Sequence, residues 1–163
     1  MIRSYSEGDR QAVLDINAAN VPEVGTMDGA KFDLLLAEAV DVSVVDVDGQ
    51  VVGFMILLGP GGTYGSPNYA WFSARYPEFV YVDRIALGEA ARGQGWGPQL
   101  YERAAAATRT AGAPVLLAEV NTVPPNPRSL RFHEIFGFVE VGREQPYGGD
   151  EEVAMLACEI SAG

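Results

Sequence analysis

The spacing of apolar and polar positions changes along the chain, and each change marks an element. Ile2–Tyr5 reads as a short strand. Ser6 stands three residues before Asp9, an S-x-x-D start signal, and Val13, Leu14 and Ile16 supply the apolar side of a helix running to about Asn20. Val21–Gly29 is interrupted by Pro22, Gly25 and Gly29, and Ala30–Ala39 follows as a second helix with Phe32, Leu35 and Leu36 inward. Val42–Val47 and Gln50–Leu58 are strands on either side of Asp48-Gly49, a strong hairpin signal. Gly59–Pro77 is rich in Gly and Pro and carries Tyr64, Tyr69, Trp71, Phe72 and Tyr76. A plain connection of this length is unusual in a small domain. It reads either as a lid or acceptor wall, or as a packed excursion that buries its own rings.

Glu78–Leu87 is the next strand, Gly97–Ala111 an Ala-rich helix, and Pro114–Asn121 an apolar strand covered on both faces. Asn126–Phe136 is a short helix, and Phe138–Arg143 and Glu152–Ile160 close the chain as strands. The order β-α-α-β-β-β-α-β-α-β-β predicts a mixed α/β sheet of about six or seven strands with helices on both faces. The two strand-to-helix steps after residue 78 predict a right-handed parallel crossover.

Composition narrows the function classes. A chain of 163 residues, nearly half of them apolar, fits one folded domain spanning 1–163. No apolar run reaches the ~18 residues of a membrane span, and the N-terminus lacks the pattern of a signal peptide, so a cytoplasmic location is expected. The net charge of −11 argues against nucleic acid or an anionic membrane as partner and is compatible with an amine-bearing one. Cys158, the only cysteine, reads as a small packed residue, and no Cys/His cluster has metal-ligand spacing.

The chemistry concentrates in Arg92-Gly93-Gln94-Gly95-Trp96-Gly97-Pro98, between a strand and a helix. Pro98 suits a first helical turn, and the amides before it lack helical partners and can point at an anion. Gly93, Gly95 and Gly97 let that backbone curl and let a diphosphate approach, and Arg92 can add a charge-assisted contact. The glycines run G-x-G-x-G rather than in the dinucleotide-binding spacing, and they begin past the strand end. A Gly-Lys-Ser/Thr sequence is absent.

Arg92-x-x-Gly95-x-Gly97 resembles the R/Q-x-x-G-x-G/A motif of the GNAT superfamily of acyltransferases. Tyr81-Val-Asp-Arg-Ile-Ala-Leu87 is similar to the strand that pairs with the pantetheine arm of CoA in that family. Asn126-Pro-Arg-Ser129-Leu-Arg-Phe132-His133-Glu-Ile-Phe-Gly137-Phe138 is similar to its N-x-x-A/S…Y-x-x-x-G-F segment. The resemblance implies a sheet whose central parallel strands, ending near Leu87 and Asn121, splay around acetyl-CoA. It implies that Ile85, Ala86, Leu87, the 92–97 loop, Asn126, Ser129 and Phe132 contact that co-substrate. No metal is implied, and homodimers are common in the family.

Where most members carry a Tyr near the acetyl-CoA sulfur, this chain has His133, its only histidine. On a helical wheel Phe132, Phe136 and Ser129 share a face, with His133 at its edge. His133 can act as the acid for the departing thiolate, or as a ring packed against Phe132 or Phe136. A free amine is the attacking form, so a base is expected. Glu119 and Asp83 sit in strands read as buried. Each can equally be paired with a cation, Arg84 in particular, and each can anchor a cationic acceptor. A backbone N–H of Ala86 or Leu87 is the expected oxyanion donor.

The expected activity is direct transfer of an acetyl group from acetyl-CoA to a primary amine on a small molecule or peptide. The alternatives are a non-catalytic acyl-CoA-binding module, kept open by the His-for-Tyr change, and a protein-modifying acetyltransferase that works with a polypeptide partner.

Overall fold

A computed structural model describes residues 1–161. Its elements are β1 (Ile2–Ser4), α1 (Arg10–Ala19), α2 (Gly29–Glu38), β2 (Ala39–Val47), β3 (Gln50–Leu58), α3 (Pro67–Ser73) and β4 (Val80–Leu87). They continue as α4 (Trp96–Thr110), β5 (Val115–Val123), α5 (Pro127–Phe136), β6 (Val139–Glu144) and β7 (Glu152–Glu159). The strands form one sheet in the order β1-β2-β3-β4-β5-β7-β6. Only β4 and β5 pair in parallel; every other neighbouring pair is antiparallel.

Local chemistry explains most of these boundaries. Ser6 and Asp9 form the expected capping box, on a 3-10 turn at Glu7–Asp9 that leads into α1. Asp28 accepts from the Lys31 amide and starts α2 at Gly29, one residue earlier than expected. In the β2–β3 turn Asp48 and Gly49 both have positive φ, 53° and 82°, the geometry that a two-residue hairpin needs.

The 59–77 excursion folds more than its composition suggests. Ser66 caps a helix, α3, with Pro67 in its first turn. Tyr69 and Phe72 from α3 pack edge-on or tilted against Tyr81 and Phe79. Trp71 lies on Gly142 of β6 so closely that a Cβ there would fall 2.5 Å from its ring. The excursion therefore buries its own rings. It also covers the sheet from β4 across to β6.

The sheet separates two apolar clusters. One gathers Phe54, Ile56, Tyr81, Leu117 and Met155 beneath α1, α2 and α3. The other gathers Met55, Leu57, Val82, Leu116 and Leu156 beneath α4 and α5. Cys158 is buried in the second cluster, as expected of a packed residue. Helices on both faces of a mixed sheet are the predicted fold class.

Two irregularities in the strands shape the site. In β4, Arg84 faces Ile56 and Val82 faces Leu57, so Asp83 is an extra residue in a β-bulge. A bulge bends its strand, and β4 pairs with β5 only at Val80↔Leu116 and Tyr81↔Leu117. Beyond that point the facing edges of β4 and β5 carry no ladder, whereas β5 pairs with β7 as far as Val123. The central parallel strands thus open into a gap on the C-terminal side.

Candidate active site

The gap is edged by backbone polar groups whose direction follows from the register. Gly88 N–H donates to Val52 O at 2.7 Å, so Ala86, two residues away, also turns its amide toward β3. Ile85 and Leu87 turn theirs toward the gap. Of the two amides expected as oxyanion donor, that of Ala86 is engaged by the ladder and that of Leu87 faces the gap. Asn20, at the end of α1, donates to Leu87 O at 3.2 Å and accepts from Arg92 Nη2 at 2.8 Å. This residue, read only as a helix end in the sequence, ties the strand end to the loop.

That loop leaves β4 through a 3-10 turn at Glu89–Ala91 and enters α4 at Trp96, one residue before the expected start. Gly93 and Gly95 have φ of 74° and 83°, a left-handed conformation that glycine tolerates without strain. Gly97 is helical with an ordinary φ, so the turn itself does not require a glycine there. Among the described residues, no backbone carbonyl accepts from the amides of Gly93, Gln94, Gly95, Trp96 or Gly97. The indole Nε1 of Trp96 is shut off from solvent without a partner. A string of free amides at the N-terminus of a 15-residue helix is suited to a diphosphate. With the open β4 edge, these groups fit acetyl-CoA.

On the α1–α3 side of the gap stands Glu119 of β5. Its Oε1 accepts from Tyr81 Oη at 2.8 Å and from Asn68 Nδ2 at 3.2 Å. Its Oε2 is closed to solvent and unpartnered, as is Asn68 Oδ1. No cation pairs with the carboxylate among the described residues. Burial pushes its pKa up to about 8, against the two hydrogen bonds that pull it down, and the charge of Asp83 adds to the rise. Of the two readings left open for Glu119, the structure favours an unpaired carboxylate over an ion pair. Asn68 and Tyr81 escaped the sequence reading because the first lies on the unforeseen α3 and the second reads as core.

Asp83 behaves oppositely. In a regular strand, adjacent residues face opposite sides; the bulge turns Asp83 and Arg84 together. Arg84 Nε donates to Asp83 Oδ2 at 2.7 Å, with both side chains almost fully buried. Arg84 also reaches Asn17 Oδ1 at 3.0 Å, Gly25 O at 2.9 Å and Tyr64 Oη at 3.3 Å. This is the ion pair anticipated as one of its two readings.

His133 takes the packed one of its two readings, its ring edge-on to Phe132 with centroids 5.4 Å apart, but its burial departs from the expected helix-edge placement. It is not at the edge of the α5 face but is that helix's buried residue, while Phe132 and Phe136 are only partly covered. The reason is that α5 turns the 129/133 side toward Tyr101 of α4, which also meets Phe132, Phe136 and Phe138 edge-on. Nδ1 lies 2.7 Å from Ser129 O, which can only accept, so Nδ1 carries the proton and Nε2 accepts from Tyr101 Oη at 2.6 Å. Burial lowers the pKa of the ring, outweighing the Ser129 contact. The neutral form is thereby favoured. Asn126 caps α5 by accepting from the Ser129 amide at 3.4 Å, as its position predicted.

Among the described residues there is no group of three or more His, Cys, Asp or Glu side chains that could hold a metal ion. Among the described residues, no helix is long and apolar enough to cross a membrane.

Comparison with known proteins matches this geometry to a family. The Acetyltransferase (GNAT) family profile covers residues 14–138. Acetyltransferase Atu2258 of Agrobacterium fabrum is 30% identical over 96 residues, which is 59% of this chain and 61% of that protein, so the match spans about three fifths of the curated relative. The structure of Ard1 from Thermoplasma volcanium superposes with a TM-score of 0.77 at 22% identity, over 99% of this chain and 97% of that one. That of yncA from Salmonella typhimurium, solved with its cofactor acetyl-CoA, gives 0.71 at 19% identity over 99% and 94%. The split central strands, the amide-lined loop and the profile match together show that this chain belongs to the GNAT family of acetyltransferases.

Proposed function

We propose that residues 1–163 form one domain that transfers the acetyl group of acetyl-CoA to a primary amine by direct attack. The observation that carries this reading is Glu119, a carboxylate held by two neutral donors and left with one free oxygen beside the β4–β5 gap. Bound acetyl-CoA supplies an activated thioester. The 93–97 amides, with Arg92, hold its diphosphate, and the Ile85–Leu87 edge holds its arm. Phe132, Ser129 and Asn126 belong to the α5 side of the same groove.

Glu119 takes a proton from the attacking amine, a task for which a pKa near the working pH is suited. Leu87 N–H, turned toward the gap, would donate to the carbonyl oxygen as negative charge builds on it. His133 is assigned a positioning role, because its fixed tautomer leaves Nε2 bound to Tyr101 and its neutral form has no second proton to give. The departing thiolate, conjugate to a thiol of pKa about 8.5, takes its proton from solvent.

The test is thiol release from acetyl-CoA over a panel of amines, with the acetylated product identified by mass. Amine-dependent release with N-acetyl product is the expected result. Saturable CoA binding with no release on any amine would favour a non-catalytic acyl-CoA-binding module.

A further inference from the structure

Asn68 and Glu119 come from elements far apart in the chain, α3 and β5, and their end groups meet. Asn68 Nδ2 donates to Glu119 Oε1 at 3.2 Å. That contact fixes which way the Asn68 amide lies, because the carboxylate accepts and only the nitrogen end of an amide donates. Oδ1 is the end left over, closed to solvent and without a partner, as is Glu119 Oε2. Asn68 is 9% exposed and Glu119 half-buried, so the pair stands in the wall of the gap. Among the described residues other buried polar atoms also lack partners, but only these two belong to side chains hydrogen-bonded to each other.

The neighbouring hydroxyls are already engaged. Tyr81 spends its proton on Glu119 Oε1 at 2.8 Å. Tyr69, next to Asn68 on α3, spends its own on Gly59 O at 2.7 Å. Nor does the Asn68 side chain serve its helix. The cap of α3 is Ser66, whose Oγ accepts from the Tyr69 amide at 3.4 Å. A buried oxygen without a donor is unfavourable. Here one such oxygen is already assigned to the reaction, and the other sits on the side chain in contact with it. The pair suits a group that brings two hydrogens.

Resting on the function proposed above, we propose that Glu119 Oε2 and Asn68 Oδ1 each take one N–H of the acceptor, so that Asn68 selects a primary amine over its N-alkylated counterpart. The neutral nitrogen keeps its lone pair for the thioester carbon. As the C–N bond forms, negative charge goes to the carbonyl oxygen and positive charge to the nitrogen. Glu119 Oε2 takes one proton from that nitrogen, the C–S bond breaks, and the thiolate leaves. The other hydrogen stays on nitrogen, facing Asn68 Oδ1, and becomes the N–H of the acetamide product. A secondary amine has a single hydrogen, which Glu119 must remove, and it turns an alkyl group toward Oδ1.

The other end of the same amide acts on the base. Donation from Asn68 Nδ2 is one of the two side-chain bonds that hold the Glu119 pKa down against burial. The two ends of Asn68 therefore have separate signatures, one in substrate choice and one in the pH profile.

The test measures thiol release over the amine panel above, each primary amine against its N-methyl counterpart, in wild type, Asn68→Leu and Asn68→Asp. Wild type should favour the primary amine in kcat/KM by about tenfold or more, the size of one buried hydrogen bond left unmade. Asn68→Leu keeps the approximate size and loses both ends. Its ratio should shrink severalfold, and the pH at which activity rises should move up. Asn68→Asp keeps an oxygen for the amine and replaces the donor with a like charge. Its ratio should survive while the pH rise again moves up. Acetyl-CoA affinity should be unchanged in both. A ratio near one in wild type, a ratio that Asn68→Leu leaves unchanged, or a ratio lost in Asn68→Asp would overturn the inference while leaving amine acetylation standing. If Asn68→Leu does not fold, the wild-type ratio and the Asn68→Asp arm still decide. Release with no amine would overturn both the inference and the function on which it rests.

Discussion

Replacing Glu119 with Gln is expected to lower kcat/KM by about 10²-fold or more, the usual scale for loss of a general base. Acetyl-CoA affinity should not change. The substitution keeps the shape of the side chain. Its carbonyl oxygen can still accept from Tyr81 and Asn68. Loss of activity would therefore not reflect loss of fold.

The pH dependence supplies a second readout. Glu119 works as the carboxylate and titrates at about 8, so wild-type activity toward an amine of low pKa rises through that pH. The variant lacks that rise. Stability runs the other way. The folded pKa of about 8 lies above the ordinary value of 4.5, so the protonated side chain is the one the fold prefers. Its contribution is fully present below the ordinary value and is lost as pH climbs through 8. The Tm of wild type should fall over that window relative to Glu119→Gln. Equal activity and parallel Tm curves would remove Glu119 from the chemistry.

The second large effect is expected at Gly95. With φ of 83°, it holds a conformation that costs an L-residue about 1–2 kcal/mol, more for a β-branched one. A Cβ at Gly95 meets no neighbouring atom within 4 Å, so the strain of Gly95→Val at this φ is expected to relax by moving the loop amides. Acetyl-CoA affinity should fall about tenfold or more, since displaced amides lose several charge-assisted contacts at once. Gly97→Ala separates the causes. That position has an ordinary φ and open space around it, so the fold should be unaffected. Any drop in affinity there reports a Cβ in the way of the diphosphate. Unchanged affinity in both variants, read by calorimetry, would place the diphosphate elsewhere.

These predictions rest on features of unequal legibility in the sequence. The Asp48-Gly49 hairpin, the Ser6/Asp9 start and the 92–97 turn could be read because each depends on neighbours within a few residues. The helix α3 escaped because its aromatic content looks the same in a lid and in a core. The Ser66-Pro67 pair, a cap followed by a first-turn proline, was the available signal. The bulge at Asp83 left no mark in Tyr81-Val-Asp-Arg-Ile, since it is set by the register against Ile56 and Leu57 on β3. The Asp83–Arg84 pair and the splayed strands are expected all the same, the first from adjacency in the sequence and the second from the family resemblance; the bulge that accompanies them is not. His133 was misplaced on its helix for a related reason. The burial of α5 is decided by Tyr101 on another helix rather than by the apolar positions of α5 itself.

The claim on which the account depends is that the 93–97 amides and the free edge of β4 receive acetyl-CoA. A crystal structure with a non-hydrolysable acetyl-CoA analogue tests it directly. The account predicts diphosphate oxygens within hydrogen-bond reach of the Gly93–Gly97 amides, the arm in the gap between β4 and β5, and the acyl carbonyl oxygen at Leu87 N–H. A diphosphate bound away from these amides would contradict it.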